Sequence, residues 1–439
     1  MKRISIPVRV VVAVATALVS LTAVGSPGLA QTDSIGAGGE YFSVTPTRVF
    51  DRRVGANSTT EIDVWVESSG IARGDILAVA ANITLAGAQG TGYVSAAAAN
   101  GPADATPTSL LNTNTRGDVV PNFGIIGVDD ARLDVSVVSG GAGTNRLIVD
   151  VVGYVTTSSH TASRGARLIG VTPERILDTR ASTPIGPEGN RTVNVSQRAG
   201  VGSNATAAVV NITGINTRPE SQNTYLTASA SPVPRGTEPE SSNGNYRRGD
   251  IVASLAIVEL DESGNFNLYN RSGSLNVAVD IVGYLEPRDD STTTGRILAL
   301  QAPFRTIDTR AAAFGGVKLG AQQWEDLSFD GFTNSITLDG QAVGNQGALF
   351  ANVTAVAHER ARAADPANSY LSLNPAYPNG AYPQGDADNS NINVVEGRNV
   401  ANAAIVSYGT KAGDDNVVSV FNRRGDTHYI VDAFAIILD

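Results

Sequence analysis

The chain has 439 residues, 42% of them hydrophobic and 17% charged, which is enough apolar material for sizeable cores and excludes global disorder. It holds no Cys and three His, so disulfides, thiolate metal centres and a Cys nucleophile are ruled out and little remains for a His-based site. The formal charge of -10 argues against a nucleic-acid partner, which requires a basic surface.

Residues 1–30 open with Lys2, Arg3 and Arg9, continue as an apolar run over 10–24, and end in Gly28-Leu29-Ala30. A basic start, an apolar middle and small residues at a cleavage position predict a secretory signal peptide, cut after Ala30. The apolar run is short of the roughly 20 residues that cross a bilayer. Loss of its three basic residues takes the formal charge from -10 to -13. The mature chain is therefore expected outside the membrane and not spanning it.

Three repeats follow, over 41–156, 165–286 and 295–439. Each opens with an Arg/Asp motif: Arg48-Val49-Phe50-Asp51-Arg52-Arg53, Arg175-Ile176-Leu177-Asp178-Thr179-Arg180 and Arg305-Thr306-Ile307-Asp308-Thr309-Arg310. Each then holds Asn-apolar-Thr in an apolar strand, beginning at Asn82, Asn211 and Asn352, followed by a strand led by Tyr93, Tyr225 or Tyr370. Each closes on an apolar strand carrying a single Asp: Asp150, Asp280 and Asp432. Asp51 to Asp178 is 127 residues and Asp178 to Asp308 is 130. That period is too long for a solenoid unit and suits a domain with its own core. Polar stretches at 156–163 and 286–294 read as connectors. Short β-branched or alternating runs bounded by Gly, Asn and Pro predict strands, and no stretch keeps a helical period. The expected fold is all-β, three tandem antiparallel β-sandwich domains.

The Arg-Ile-Leu-Asp-Thr-Arg opening, the Asn-Ile-Thr strand and the Val-Asp-Ile-Val-Gly-Tyr close resemble a β module of secreted actinobacterial proteins. In that family the module often accompanies cell-wall hydrolases, such as N-acetylmuramoyl-alanine amidases, or secreted proteases. The resemblance covers residues 41–439 and is strongest in the second repeat. The first repeat departs at Arg52, where Thr is usual, and the third has Ala435-Ile436 in place of Gly-Tyr. The resemblance implies an extracellular or envelope-associated accessory role and brings no catalytic residues with it.

Paired carboxylates such as Asp178 and Asp280 could in principle serve a glycosidase. A carboxylate within an apolar strand, however, must be paired or hydrogen-bonded. Arg180, and by repetition Arg53 and Arg310, is the expected bidentate partner of the closing Asp. Three copies of one network point to architecture: Asp51, Arg53, Asn82 and Asp150; Asp178, Arg180, Asn211 and Asp280; Asp308, Arg310, Asn352 and Asp432. The three Asn also begin Asn-x-Thr sequons, yet each lies in an apolar strand, where a buried amide bonded to backbone is expected instead. No catalytic residue is assigned.

No cofactor is expected. Asp386-Ala387-Asp388-Asn389-Ser390 begins like a calcium loop but has Asn391 at the sixth place and Gly397 at the twelfth, so calcium binding, if any, is weak. Function is sought where the repeats differ. Opening Asp to middle Asn is 31, 33 and 44 residues, and middle Asn to closing Asp is 68, 69 and 80. Insertions in a repeat become loops, often on the binding face. The first insertion region includes Trp324, Phe329 and Phe332. The second holds Tyr377 and Tyr382 in a Pro/Gly-rich run that leads to Asp386. Aromatic faces beside polar groups suit a sugar ligand. Trp324, Tyr377, Tyr382 and Asp386 are the candidate ligand residues. The expected function is non-catalytic binding of an envelope glycan or other surface partner. The alternatives are a self-assembling surface protein and, further back, a carboxylate hydrolase.

Overall fold

The computed structural model describes residues 38–101, 108–157, 165–196, 198, 200–287, 292–333, 335, 337–338, 341–342, 346–411 and 413–439. The predicted signal peptide, residues 1–30, and the middle of both connectors lie outside the described residues. The protein is all-β, built of antiparallel sheets with almost no helix.

The first repeat supplies β1 (Glu40–Gly55), β2 (Ser58–Asp63), β3 (Ile76–Ala86), β4 (Gly92–Ala98), β5 (Leu111–Thr113), β6 (Val119–Gly127), β7 (Arg132–Ser139) and β8 (Thr144–Thr156). The second supplies β9 (Ala166–Asp178), β10 (Gly189–Asn194), β11 (Ala207–Ile215), β12 (Thr224–Ser229), β13 (Gly244–Tyr246), β14 (Ile251–Glu259), β15 (Asn265–Asn270) and β16 (Asn276–Pro287). The third keeps the same order with four short additions, α1, β19, β20 and β25: β17 (Ile297–Asp308), β18 (Gln323–Ser328), α1 (Asp330–Thr333), β19 (Thr337–Leu338), β20 (Gln341–Ala342), β21 (Gln346–Glu359), β22 (Asn368–Pro375), β23 (Ile392–Val395), β24 (Val400–Ser407), β25 (Gly409–Lys411), β26 (Asp414–Asn422) and β27 (Asp426–Leu438).

Every repeat distributes its strands in one way. The inner sheets run β6-β3-β8-β1, β14-β11-β16-β9 and β24-β21-β27-β17. The outer sheets run β2-β7-β4-β5, β10-β15-β12-β13 and β18-β26-β22-β23. In repeat 2 the inner residues Ala208, Val210 and Ile212 share a core with the outer residues Val193, Leu226, Phe266 and Leu268. Alternation sends Val209, Asn211 and Thr213 to the other face. That face is buried as well: Val209, Leu255 and Val282 of repeat 2 join one cluster with Phe123 of repeat 1 and Phe350 and Ala403 of repeat 3. Burial on both faces explains why β3, β11 and β21 read as continuous apolar runs instead of alternating ones.

The repeats are packed together, not strung out. The edge strands β6, β14 and β24 meet one another, and Phe123 sits edge-on to Phe350 at 6.0 Å. The opening strands also converge. Tyr41 pairs with Ala166 and merges two inner sheets into one of eight strands. Gly39 and Ile297 exchange backbone hydrogen bonds of 2.8 and 2.9 Å, and Leu168 N donates to Gly295 O at 2.8 Å.

At this convergence lie Glu40, Arg167 and Arg296, all buried. Arg167 Nε donates to Glu40 Oε1 at 3.0 Å, and Arg296 Nη2 stands 4.0 Å from the same oxygen. Gly165 N donates to Glu40 Oε2 at 2.9 Å. Arg167 Nη1 holds the second connector through Thr292 O and Thr294 O at 2.8 and 3.0 Å. The strand registers place the three side chains at equivalent positions: Glu40 lies opposite Thr156, Arg167 opposite Glu286, and Arg296 just before the Ile297–Ile437 pair. One acid and two bases thus meet where the three repeats join. Removing the charge of a buried pair's carboxylate strands its partner. Glu40→Gln should therefore lower unfolding free energy by about 3 kcal/mol, measured by denaturant titration followed by near-UV dichroism.

Candidate functional site

The repeated polar residues form cross-strand rows on the inner sheets. In repeat 2, Arg175, Asp280 and Asn211 stand at one register on the adjacent strands β9, β16 and β11. Arg305, Asp432 and Asn352 do the same in repeat 3, as do Arg48, Asp150 and Asn82 in repeat 1. Arg175 Nε and Nη2 donate to the two oxygens of Asp280 at 2.6 and 3.0 Å. The matching distances are 2.8 and 3.2 Å for Arg305–Asp432, and 2.8 and 3.0 Å for Arg48–Asp150.

The partner of each closing Asp is therefore the first arginine of the opening motif, and not Arg53, Arg180 or Arg310 as the sequence suggested. Register decides this, because residues directly opposite on neighbouring strands are in reach. Arg180 and Arg310 lie past the strand and turn back onto Asp178 and Asp308, with Nη2 at 2.5 and 2.6 Å. Asp178 in turn stands 3.6 Å from Arg175 Nη1, and Asp308 stands 3.7 Å from Arg305 Nη1. Arg53 bonds Thr144 Oγ1 at 3.3 Å.

Each row faces a neighbouring repeat. Ser109 N of repeat 1 donates to Asp432 Oδ2 at 3.3 Å, and Asn352 Nδ2 donates to Ser109 O. Ser390 N of repeat 3 donates to Asp280 Oδ2 at 3.3 Å, and Asn211 Nδ2 donates to Ser390 O. The circle closes where Arg48 Nη2 of repeat 1 donates to Glu240 O of repeat 2 at 2.5 Å. Further amides knit the centre. Asn122 Nδ2 donates to Asn352 Oδ1 at 2.9 Å, while its Oδ1 accepts from Ala403 N at 3.1 Å. Asn402 Nδ2 donates to Asn211 Oδ1 at 2.9 Å, and its Oδ1 accepts from Leu255 N at 3.2 Å. Burial pushes the Asp280 and Asp432 carboxyls above the usual range, against the pull of their arginines. These carboxylates are enclosed by protein, with no face toward solvent for a substrate. The serines, Asn122 and Asn402 carried no signal in the sequence, since their partners in the neighbouring repeats lie more than a hundred residues away.

The ligand candidates do come together. Trp324 stacks on Tyr382 at 5.2 Å and 5°. Tyr377 meets Trp324 and Tyr382 edge-on at 5.1 and 5.9 Å. Trp324 lies within β18, not in an inserted loop, and its cross-strand neighbour Phe421 tilts against it at 4.9 Å. The indole is thus in contact with three other rings, and Trp324, Tyr377 and Tyr382 are each half-buried. Below it, Asp326 accepts from Tyr382 Oη and Ser419 Oγ, both at 2.5 Å, and is paired with Lys411. Asp386 is exposed and held by Arg423 at 2.7 Å and by Gln322 Nε2 at 2.8 Å. Phe329 and Phe332 are buried core residues. In the calcium-like stretch, Asn389 accepts from Ser372 Oγ at 2.6 Å and Ser390 serves the inter-repeat contact. Among the described residues, no three acidic or His side chains gather as a metal site.

No protein-family model and no curated protein matches the chain. Among solved structures it is similar to a chain described under "The Triple Jelly Roll Fold and Turret Assembly in an Archaeal Virus", at 9% identity over 90% of each chain and a TM-score of 0.16. It is also similar to one under "Life in the extremes: atomic structure of Sulfolobus Turreted Icosahedral Virus", at 9% identity over 91% of each and a TM-score of 0.15. Similarity at that level carries no argument about fold or function.

Asp280 accepts from Arg175 Nε at one oxygen and from Arg175 Nη2 and Ser390 N at the other; an amide keeps one acceptor oxygen, loses the charge and sets N–H groups against the remaining donors. Asp280→Asn should cost about 2 kcal/mol of stability, read as a lower melting temperature. It should also speed hydrogen exchange at the Ser390 amide in the neighbouring repeat.

Proposed function

We propose that this is an exported, non-catalytic envelope protein of three β-sandwich modules that binds a surface glycan or another envelope polymer. The observation that carries the reading is the division of the polar residues. The Arg–Asp–Asn rows that recur in every repeat face neighbouring repeats, and no substrate reaches their buried carboxylates. The polar residues found in one repeat alone, around Trp324, Tyr377 and Tyr382, lie on the solvent side of an outer sheet. An apolar rim flanked by Asp386, Arg423 and Lys411 offers what a sugar requires: apolar area with hydrogen-bonding groups at its edge. The signal-like segment 1–30 and the resemblance to modules that accompany cell-wall hydrolases support the location.

Co-sedimentation with purified cell wall tests this. The chain should pellet with wall at low and at high salt, and Tyr377→Ala with Trp324→Ala should weaken binding about tenfold, the size of one lost aromatic contact. Wild-type protein that stays in the supernatant at both salts would overturn the reading. Light scattering with and without calcium separates it from self-assembly, which would show large particles in the absence of wall.

A further inference from the structure

We infer that repeat 1 carries an anion-binding recess that the other two repeats lack. Four residues before the closing Asp, repeats 2 and 3 carry Asn276 and His428. These meet the buried threonines of the opening motif, Thr179 and Thr309, through contacts of 3.2 Å each. Repeat 1 has Arg52 and Arg146 at those two places. With no threonine to meet, Arg146 reaches Asp51 instead, through two hydrogen bonds of 2.6 Å. Asp51 is the carboxylate that would otherwise hold Arg53, as Asp178 holds Arg180. The exchange leaves Arg53 without a carboxylate partner, its side-chain contact being Thr144 Oγ1.

Arg53 and Arg146 line a recess of 410 Å³ with a third guanidinium, Arg116. Arg116 is exposed at the tip of the turn between β5 and β6. No acidic residue lines the recess. The turn is built to hold its shape. Asp118 accepts from Asn114 N, Thr115 N and Thr115 Oγ1 at 2.8, 2.8 and 2.7 Å. Arg247, from repeat 2, donates to Gly117 O at 2.7 Å and pairs with Asp118 at 2.8 Å. On the opposite wall Gln89 Nε2 is fixed by Gly87 O and Thr144 O at 2.8 and 2.9 Å.

The recess sets three guanidiniums against one carboxylate, Asp51, in a chain of net charge -10, and an anion would balance the local excess of positive charge. The planar fork of Arg fits a carboxylate or a phosphate. A recess of this volume takes a group of sugar size. The ligand is therefore a phosphate or carboxylate borne on a sugar-sized unit. This deepens the proposed function by giving its polymer a charge, and it rests on that reading only for the word polymer.

Calorimetric titration of the purified chain at low salt tests the site, with inorganic phosphate and glucuronate as separate probes. One saturable site is expected for at least one probe, weakening as salt rises because the arginines are exposed. The double variant R53Q/R116Q should lose tenfold or more in affinity, with unchanged melting temperature, while R218Q binds as wild type. Binding of phosphate alone assigns a phosphorylated ligand, and binding of glucuronate alone assigns a uronate. No saturable binding of either probe, or an unaltered R53Q/R116Q, overturns the inference. Phosphate binding through Arg53 and Arg116 in a chain that ignores cell wall would overturn the proposed function and leave the recess standing.

Discussion

The fold depends on polar rows buried between repeats. An inner sheet covered on one face alone could leave Arg175, Asp280 and Asn211 in water. Here the second face is covered too, so every donor and acceptor on it needs a partner. The backbone of the next repeat supplies one: Ser390 gives its N–H to Asp280 and takes the amide of Asn211. Ser109 does this for Asp432 and Asn352. The exchange runs from repeat 1 to 3 and from 3 to 2, and the circle is closed by a different bond, Arg48 of repeat 1 donating to Glu240 O of repeat 2. A repeat removed from the circle would expose one apolar face and one polar row together.

The same circle explains why one chain carries all three copies. Three identical subunits would bring three identical residues to the point where the opening strands converge. Three arginines there would repel, and three glutamates likewise. The chain places Glu40 against Arg167 and Arg296, an arrangement that requires the copies to differ. Divergence elsewhere follows suit: Arg146 in repeat 1 redirects Asp51, and repeat 3 grows a loop over its outer sheet. The buried Arg–Asp–Asn rows recur while the residues around them vary, so ligand chemistry is to be sought outside the rows.

Much of this was legible in the sequence. The recurring motifs fall on β1, β9 and β17, on β3, β11 and β21, and on β8, β16 and β27. Tyr377 and Tyr382 fall in an enlarged loop as the spacing suggested, whereas Trp324 lies in β18, a strand every repeat has, and meets them only in the fold. The choice of Arg175 over Arg180 was not legible, because it depends on bulges in β9 and β16 that set which residues stand opposite. Nor was the use of the second sheet face, although the unbroken apolar run of β11 hinted at it: a strand exposed on one side alternates, and Ala207–Ile215 does not. Glu40, Arg167 and Arg296 carried no signal, since equivalent residues of opposite charge look unrelated in an alignment of repeats.

The three repeats form one body through contacts of their own. Protease sites placed within 158–164 and 288–291, cut to completion, test it directly when the product is weighed by light scattering under native conditions. A single particle with the mass of the uncut chain is expected. Separation into three fragments would contradict it.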